Sequence, residues 1–149
     1  DIRFVDEAAK LQFAFVKRGI VPELGSPVTL QKVVGFQRAA DLMLTGRMFL
    51  GTDAAAWGMV LEALPEAAVL PRAMEYAREF ASTAPVSVGI TKQLLWDGID
   101  SDMDVSRGKE TELLAWIGEK DDAKEGVMSF VEKRVPNWTM SAATDMPER

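Results

Sequence analysis

Chemistry in this chain must come from carboxylates, hydroxyls, lysines, one tyrosine and backbone N–H groups, because its 149 residues include no histidine and no cysteine. Those two absences remove Ser-His pairs, thiol nucleophiles, imidazole bases, disulfides and ordinary zinc sites. Among the carboxylates, Glu23 has the most suggestive setting. It lies in Phe13-Ala14-Phe15-Val16-Lys17-Arg18-Gly19-Ile20-Val21-Pro22-Glu23-Leu24-Gly25-Ser26-Pro27. A short apolar run ends at a glycine, a Pro-Glu pair follows, and a helix opens. Ser26 reads as the N-cap and Pro27 as the first helical residue. Glu23 thus precedes a helix N-terminus, where partial positive charge collects. Two roles suit that place: an acid/base held ready for proton transfer, and a structural acid that caps the helix or answers its dipole. The residues alone leave both open.

The elements that would position Glu23 follow from the apolar spacing. Asp1 to Val5 reads as a strand, Asp6 to Lys10 as a polar turn, and Leu11 to Phe15 as a second strand with Phe13 and Phe15 on one face. Helices are expected over Ser26–Val34, stopped by Gly35, and over Phe36–Thr45, ended by Gly46, with Ala39, Ala40, Met43 and Leu44 as the apolar stripe. Arg47 to Phe49 is extended. Thr52 or Asp53 caps a short helix over Ala54–Trp57, closed by Gly58, and Met59 to Leu64 is the last strand. From Val69 onward the spacing is helical. Pro85 breaks the first of these helices. Others cover Val86–Ile99, Asp104–Ile117 and a final one from Lys120 through Arg134, with Val127, Phe130 and Val131 inward. The tail from Thr139 to Arg149 is polar and reads as disordered.

Composition narrows the class. Hydrophobic residues make up 48% and charged residues 27%, a globular balance for one domain with a real core. A net charge of -6 argues against a nucleic-acid or anionic-membrane surface. No apolar run approaches a membrane span, and no secretory pattern is present. The lack of cysteine fits a cytoplasmic location. No G-x-G-x-x-G or P-loop supports phosphate cradling, and no cofactor or metal is expected. The chain opens at Asp1 with a strand already under way, so the polypeptide is expected to begin upstream.

Four ordered segments then carry a resemblance. They are Phe15 through Ser26, Ala39-Ala40-Asp41-Leu42-Met43-Leu44-Thr45-Gly46-Arg47, Ala55-Ala56-Trp57-Gly58-Met59-Val60, and Asp121 through Arg134. In that order and spacing they resemble the enoyl-CoA hydratase/isomerase (crotonase) superfamily, and its C-terminal half only. The resemblance implies an α/β fold: a remnant of the crotonase-like β-β-α spiral over residues 1–65, then a helical trimerisation region over 66–138, with 139–149 as a tail. It implies an acyl-CoA substrate, with coenzyme A as part of that substrate, and a homotrimer or hexamer. The two N–H donors of the family's oxyanion hole are expected upstream of Asp1.

By the same resemblance, the second acid of the family's hydratases falls on Phe15, which cannot carry a proton. Glu23 falls on the single acid of its isomerases. Phe15 and Pro22 are then expected to line the substrate cleft, with Phe15 as a dry wall. Phe130 and Lys133 match positions that reach a neighbouring subunit's coenzyme A, the ring near the adenine and the lysine at a phosphate. Both also fit a plainer reading, as an apolar stripe and a surface lysine. Trp57 and Trp116 read as core or subunit contacts. Beside the isomerase stand a hydratase and a non-catalytic helical remnant that only self-associates.

Overall fold

The computed structural model describes residues 1–148. Contacts divide them into two units, Asp1–Met74 and a second that begins at Glu75.

The first unit holds short strands and the helices that cover them. β1 (Phe4–Asp6) pairs in parallel with β4 (Glu62–Leu64), Val5 opposite Ala63. β2 (Lys10–Gln12) pairs antiparallel with β3 (Met48–Leu50), Leu11 opposite Phe49. The second strand therefore ends three residues before Phe15, because its partner offers only three residues of ladder. Phe15–Arg18 form a turn of 3-10 helix instead. Phe13 still points as the two-residue period requires: its ring stacks on Phe49 at 6.1 Å between centroids.

Helices α1 (Ser26–Val34) and α2 (Phe36–Thr45) have the expected bounds. Both stops are glycines at positive φ, 76° at Gly35 and 56° at Gly46, which side-chain-bearing residues adopt only at a cost. In the α2 stripe Leu44 is exposed and Ala40 half-buried, whereas Ala39 and Met43, as expected, and also Leu42 are buried. These residues join Leu30, Phe49, Ala54 and Met59 in the core, with Leu11, Phe13, Val34, Trp57 and Val60 against it. Complete burial of Leu42 is worth about 2 kcal/mol by the transfer scale. α3 (Gly51–Ala56) starts earlier than expected; Asp53 accepts the Leu50 N–H at 2.9 Å and so serves its start. β4 covers only the end of the expected last strand. Arg72 of α4 (Glu66–Phe80) grips Glu62 of that strand at 2.8 Å.

In the second unit α5 (Pro85–Gly98) packs on α6 (Met103–Gly118), and α6 on α7 (Asp121–Glu132). Val86 and Ile90 are its buried apolar residues. Asp102 caps α6 by accepting the Val105 N–H at 2.9 Å. The expected inward stripe of α7 is overturned: Val127, Phe130 and Val131 are 64%, 85% and 68% exposed. The face that α7 buries carries Asp122 and Ser129 instead. The tail has defined partners where the sequence suggests disorder. Thr139 and Met140 donate to Asp122, Trp138 Nε1–H donates to the Ser82 carbonyl at 2.9 Å, and Met146 lies against Gly89.

Candidate functional site

Glu23 stands at the first position of a tight turn that leads into α1. Its carbonyl accepts both the Ser26 N–H, at 3.0 Å, and the Ser26 hydroxyl, at 2.7 Å. The two central residues are left-handed, Leu24 at φ 55° and Gly25 at φ 69°. Gly25, not Ser26, is the N-cap, and no side chain caps the helix. The reason lies in where the first donors go. Ser26 N–H bonds to Glu23, Pro27 has none, and the Val28 and Thr29 N–H groups both reach the Gly25 carbonyl at 3.0 Å. The helix start is satisfied by backbone alone, so the reading of Glu23 as a cap is overturned. Its side chain is exposed and, among the described residues, has no hydrogen bond or ion pair. Around it in sequence stand Ile20, Val21, Leu24 and Val28, all exposed; Leu24 is 95% so.

Phe15 opens the 3-10 turn and is half-buried, as is Pro22. Ile20 N–H returns to the Phe15 carbonyl at 3.1 Å and closes that turn. Phe15, Pro22 and Glu23 thus share one loop of the first unit. Phe130 and Lys133 belong to the second unit, at the C-terminal end of α7. Both are exposed, and Lys133 closes the helix in a left-handed conformation, φ 55°, with its N–H on the Phe130 carbonyl at 3.3 Å.

Two polar clusters escaped the sequence reading. In the second unit Asp122 is 2% exposed, and its carboxylate accepts the Thr139 N–H at 2.8 Å, the Thr139 hydroxyl at 3.2 Å and the Met140 N–H at 3.3 Å. Close by, Glu125 accepts from Arg134 at 2.8 Å and from the Asn137 N–H at 2.7 Å. The Arg134 guanidinium first, then the Asn137 donor, lower the Glu125 carboxyl to about 2. In the first unit Arg47 Nε–H donates to both Asp41 oxygens at 3.0 and 3.1 Å, its Nη2 donates to Oδ2, and Arg38 joins at 3.4 Å. The Arg47 hydrogen bonds hold the Asp41 carboxyl below its usual range. Arg38 also stacks over Trp57, 4.2 Å from the ring centroid. A cavity of about 580 Å³ opens here, lined by Val34, Phe36, Gln37, Arg38, Asp41 and Trp57. It contains none of the expected site residues. Its charges already pair with each other, so it reads as a structural ion-pair cluster. The one sequence signal for it was Arg38 three residues before Asp41 on a helix; Arg47 needed the turn at Gly46 to come into reach. No helix among the described residues is long and apolar enough to cross a membrane.

The family profile described as enoyl-CoA hydratase/isomerase matches residues 1–141. A putative enoyl-CoA hydratase of Thermus thermophilus is 39% identical over 140 residues, covering 93% of this chain and 54% of that protein. The 1,2-epoxyphenylacetyl-CoA isomerase of Escherichia coli is 30% identical, covering 93% and 53%. The crystal structure of a probable enoyl-CoA hydratase/isomerase from Mycobacterium abscessus superposes with a TM-score of 0.88 at 32% identity, covering 93% and 55%. The chain thus spans about half the length of the curated relatives it matches.

Proposed function

This chain belongs to the enoyl-CoA hydratase/isomerase family, and from that premise we propose that it moves the double bond of an enoyl-CoA thioester, with Glu23 as the single acid/base. The Glu23 carboxylate takes a proton from C2 of a 3-enoyl thioester. The electron pair passes into the conjugated system and onto the thioester oxygen as an enolate. The Glu23 acid then returns the proton to C4, the enolate collapses, and a 2-enoyl thioester leaves. One carboxylate with access to both carbons suffices, and Phe15 need carry no proton.

The observation that carries this reading is the unclaimed Glu23 carboxylate on a strained turn. Nothing in the start of α1 needs it, and exposed apolar side chains flank it in sequence, as suits a base that works beside an acyl chain. Phe15 and Pro22 would line the cleft on the same loop. Phe130 and Lys133 would meet the coenzyme A of a neighbouring copy in a trimer or hexamer. The oxyanion donors are assigned to no residue of this chain, so the 149 residues expressed alone are expected to be inactive.

Glu23→Gln tests the assignment in the polypeptide as purified from its source. With a 3-enoyl-CoA supplied, formation of the conjugated thioester should slow by roughly 10²–10⁴. Full activity in Glu23→Gln would make Glu23 structural. The hydratase alternative draws on the names of relatives such as the Thermus protein; water addition to a 2-enoyl-CoA without double-bond migration would favour it. The exposed Val127, Phe130 and Val131 favour a purely self-associating role; assembly without any enoyl-CoA binding would establish that one.

A further inference from the structure

The turn before α1 is costly, and its cost points to what it does. Left-handed geometry at both central residues of a four-residue turn is the pattern that glycine, asparagine and aspartate favour. Gly25 at φ 69° fits that rule, but Leu24 at φ 55° does not, and its side chain is 95% exposed, so no buried contact repays the strain. Two bonds from one residue hold the turn closed: the Ser26 N–H and hydroxyl both end on the Glu23 carbonyl. Pro27 has no N–H to offer, and the Val28 and Thr29 donors are taken by Gly25. A carboxylate this near a helix N-terminus is otherwise drawn to any N–H left free there.

We infer that Ser26 and Pro27 are positioning residues for Glu23: the Ser26 hydroxyl clamps the Glu23 backbone in the strained turn, and Pro27 withholds the donor that would capture the carboxylate. The inference rests on the acid/base role proposed above. It concerns how that role is kept available, since neither residue touches the reacting atoms.

The experiment measures kcat and KM for double-bond migration, together with thermal unfolding, in the polypeptide as purified from its source. Ser26→Ala should lower kcat about tenfold through misplacement of the base while KM stays within about twofold, since ground-state binding is untouched. Ser26→Thr, which keeps the hydroxyl, should restore kcat. Pro27→Ala supplies a donor at the second helical position and should also lower kcat with little change in KM. A structural role alone would move the unfolding temperature and leave this pattern absent. The inference is overturned if Ser26→Ala or Pro27→Ala keeps kcat within about twofold of the parent, or if Ser26→Thr stays as slow as Ser26→Ala. Glu23→Gln separates the two failures. Full activity there removes the acid/base reading itself, whereas a slow Glu23→Gln beside unimpaired Ser26 and Pro27 variants removes only the positioning claim.

Discussion

Removing the Asp122 carboxylate should release the C-terminal tail, and the structure sets the scale. Asp122 is 2% exposed and is the one acceptor for three donors, the Thr139 N–H at 2.8 Å, the Thr139 hydroxyl at 3.2 Å and the Met140 N–H at 3.3 Å. Hydrogen bonds to a buried charge contribute about 1.5–3 kcal/mol each when well formed. Only the first is short, and Thr139 is exposed enough to find water once freed. With the two Thr139 bonds taken at the lower end of that range and the long Met140 contact left out, Asp122→Ala should cost about 3 kcal/mol. For a chain of this length that corresponds to a fall of roughly 10 °C in the unfolding midpoint. Asp122→Asn keeps the shape and an acceptor for Thr139, but turns an amide N–H toward the Met140 donor, so its cost should be about half as large. Thermal unfolding measures both, and amide hydrogen exchange locates the effect: the Thr139 and Met140 amides should lose protection in Asp122→Ala while α5 keeps its own. Unchanged protection at those two amides, or equal cost for Ala and Asn, would refute the reasoning.

Two further outcomes follow from the same structure. Gly51 is buried against β1, where an added Cβ would overlap the Asp6 carbonyl oxygen and lie 2.9 Å from its carbon. Gly51→Ala should therefore destabilise by about 3 kcal/mol, because the backbone must move; a urea midpoint like that of the parent protein would count against it. Glu125 has a carboxyl lowered to about 2 from an ordinary 4.5. A depressed folded-state value means that its stabilising contribution is complete above pH 4.5 and is lost as pH falls toward 2. The stability difference between the parent and Glu125→Gln should vanish across that window, and a difference that stays constant between pH 5 and 2 would show that the Arg134 clamp carries no such linkage.

What the chain makes plain on its own is whatever neighbouring residues decide among themselves. The bounds of α1 and α2 belong here, since Ser26-Pro27, Gly35 and Gly46 act through local backbone geometry. So does the ordered set of segments that places the chain in its family, because that match needs only sequence order. The absence of imidazole and thiol chemistry is likewise complete in the composition. Tertiary structure decided what depends on a distant partner. Phe15 leaves the strand because β3 offers no ladder beyond Met48. The spacing of Val127, Phe130 and Val131 announces an apolar face but not what it meets, and the described residues of this chain leave it exposed. Asp122 reads as a helix-opening acid until Thr139 and Met140 return to it seventeen and eighteen residues later. Glu23 needed both kinds of information. Its place before a helix is local, but its freedom from that helix appears only once every donor at the helix start is seen to be taken.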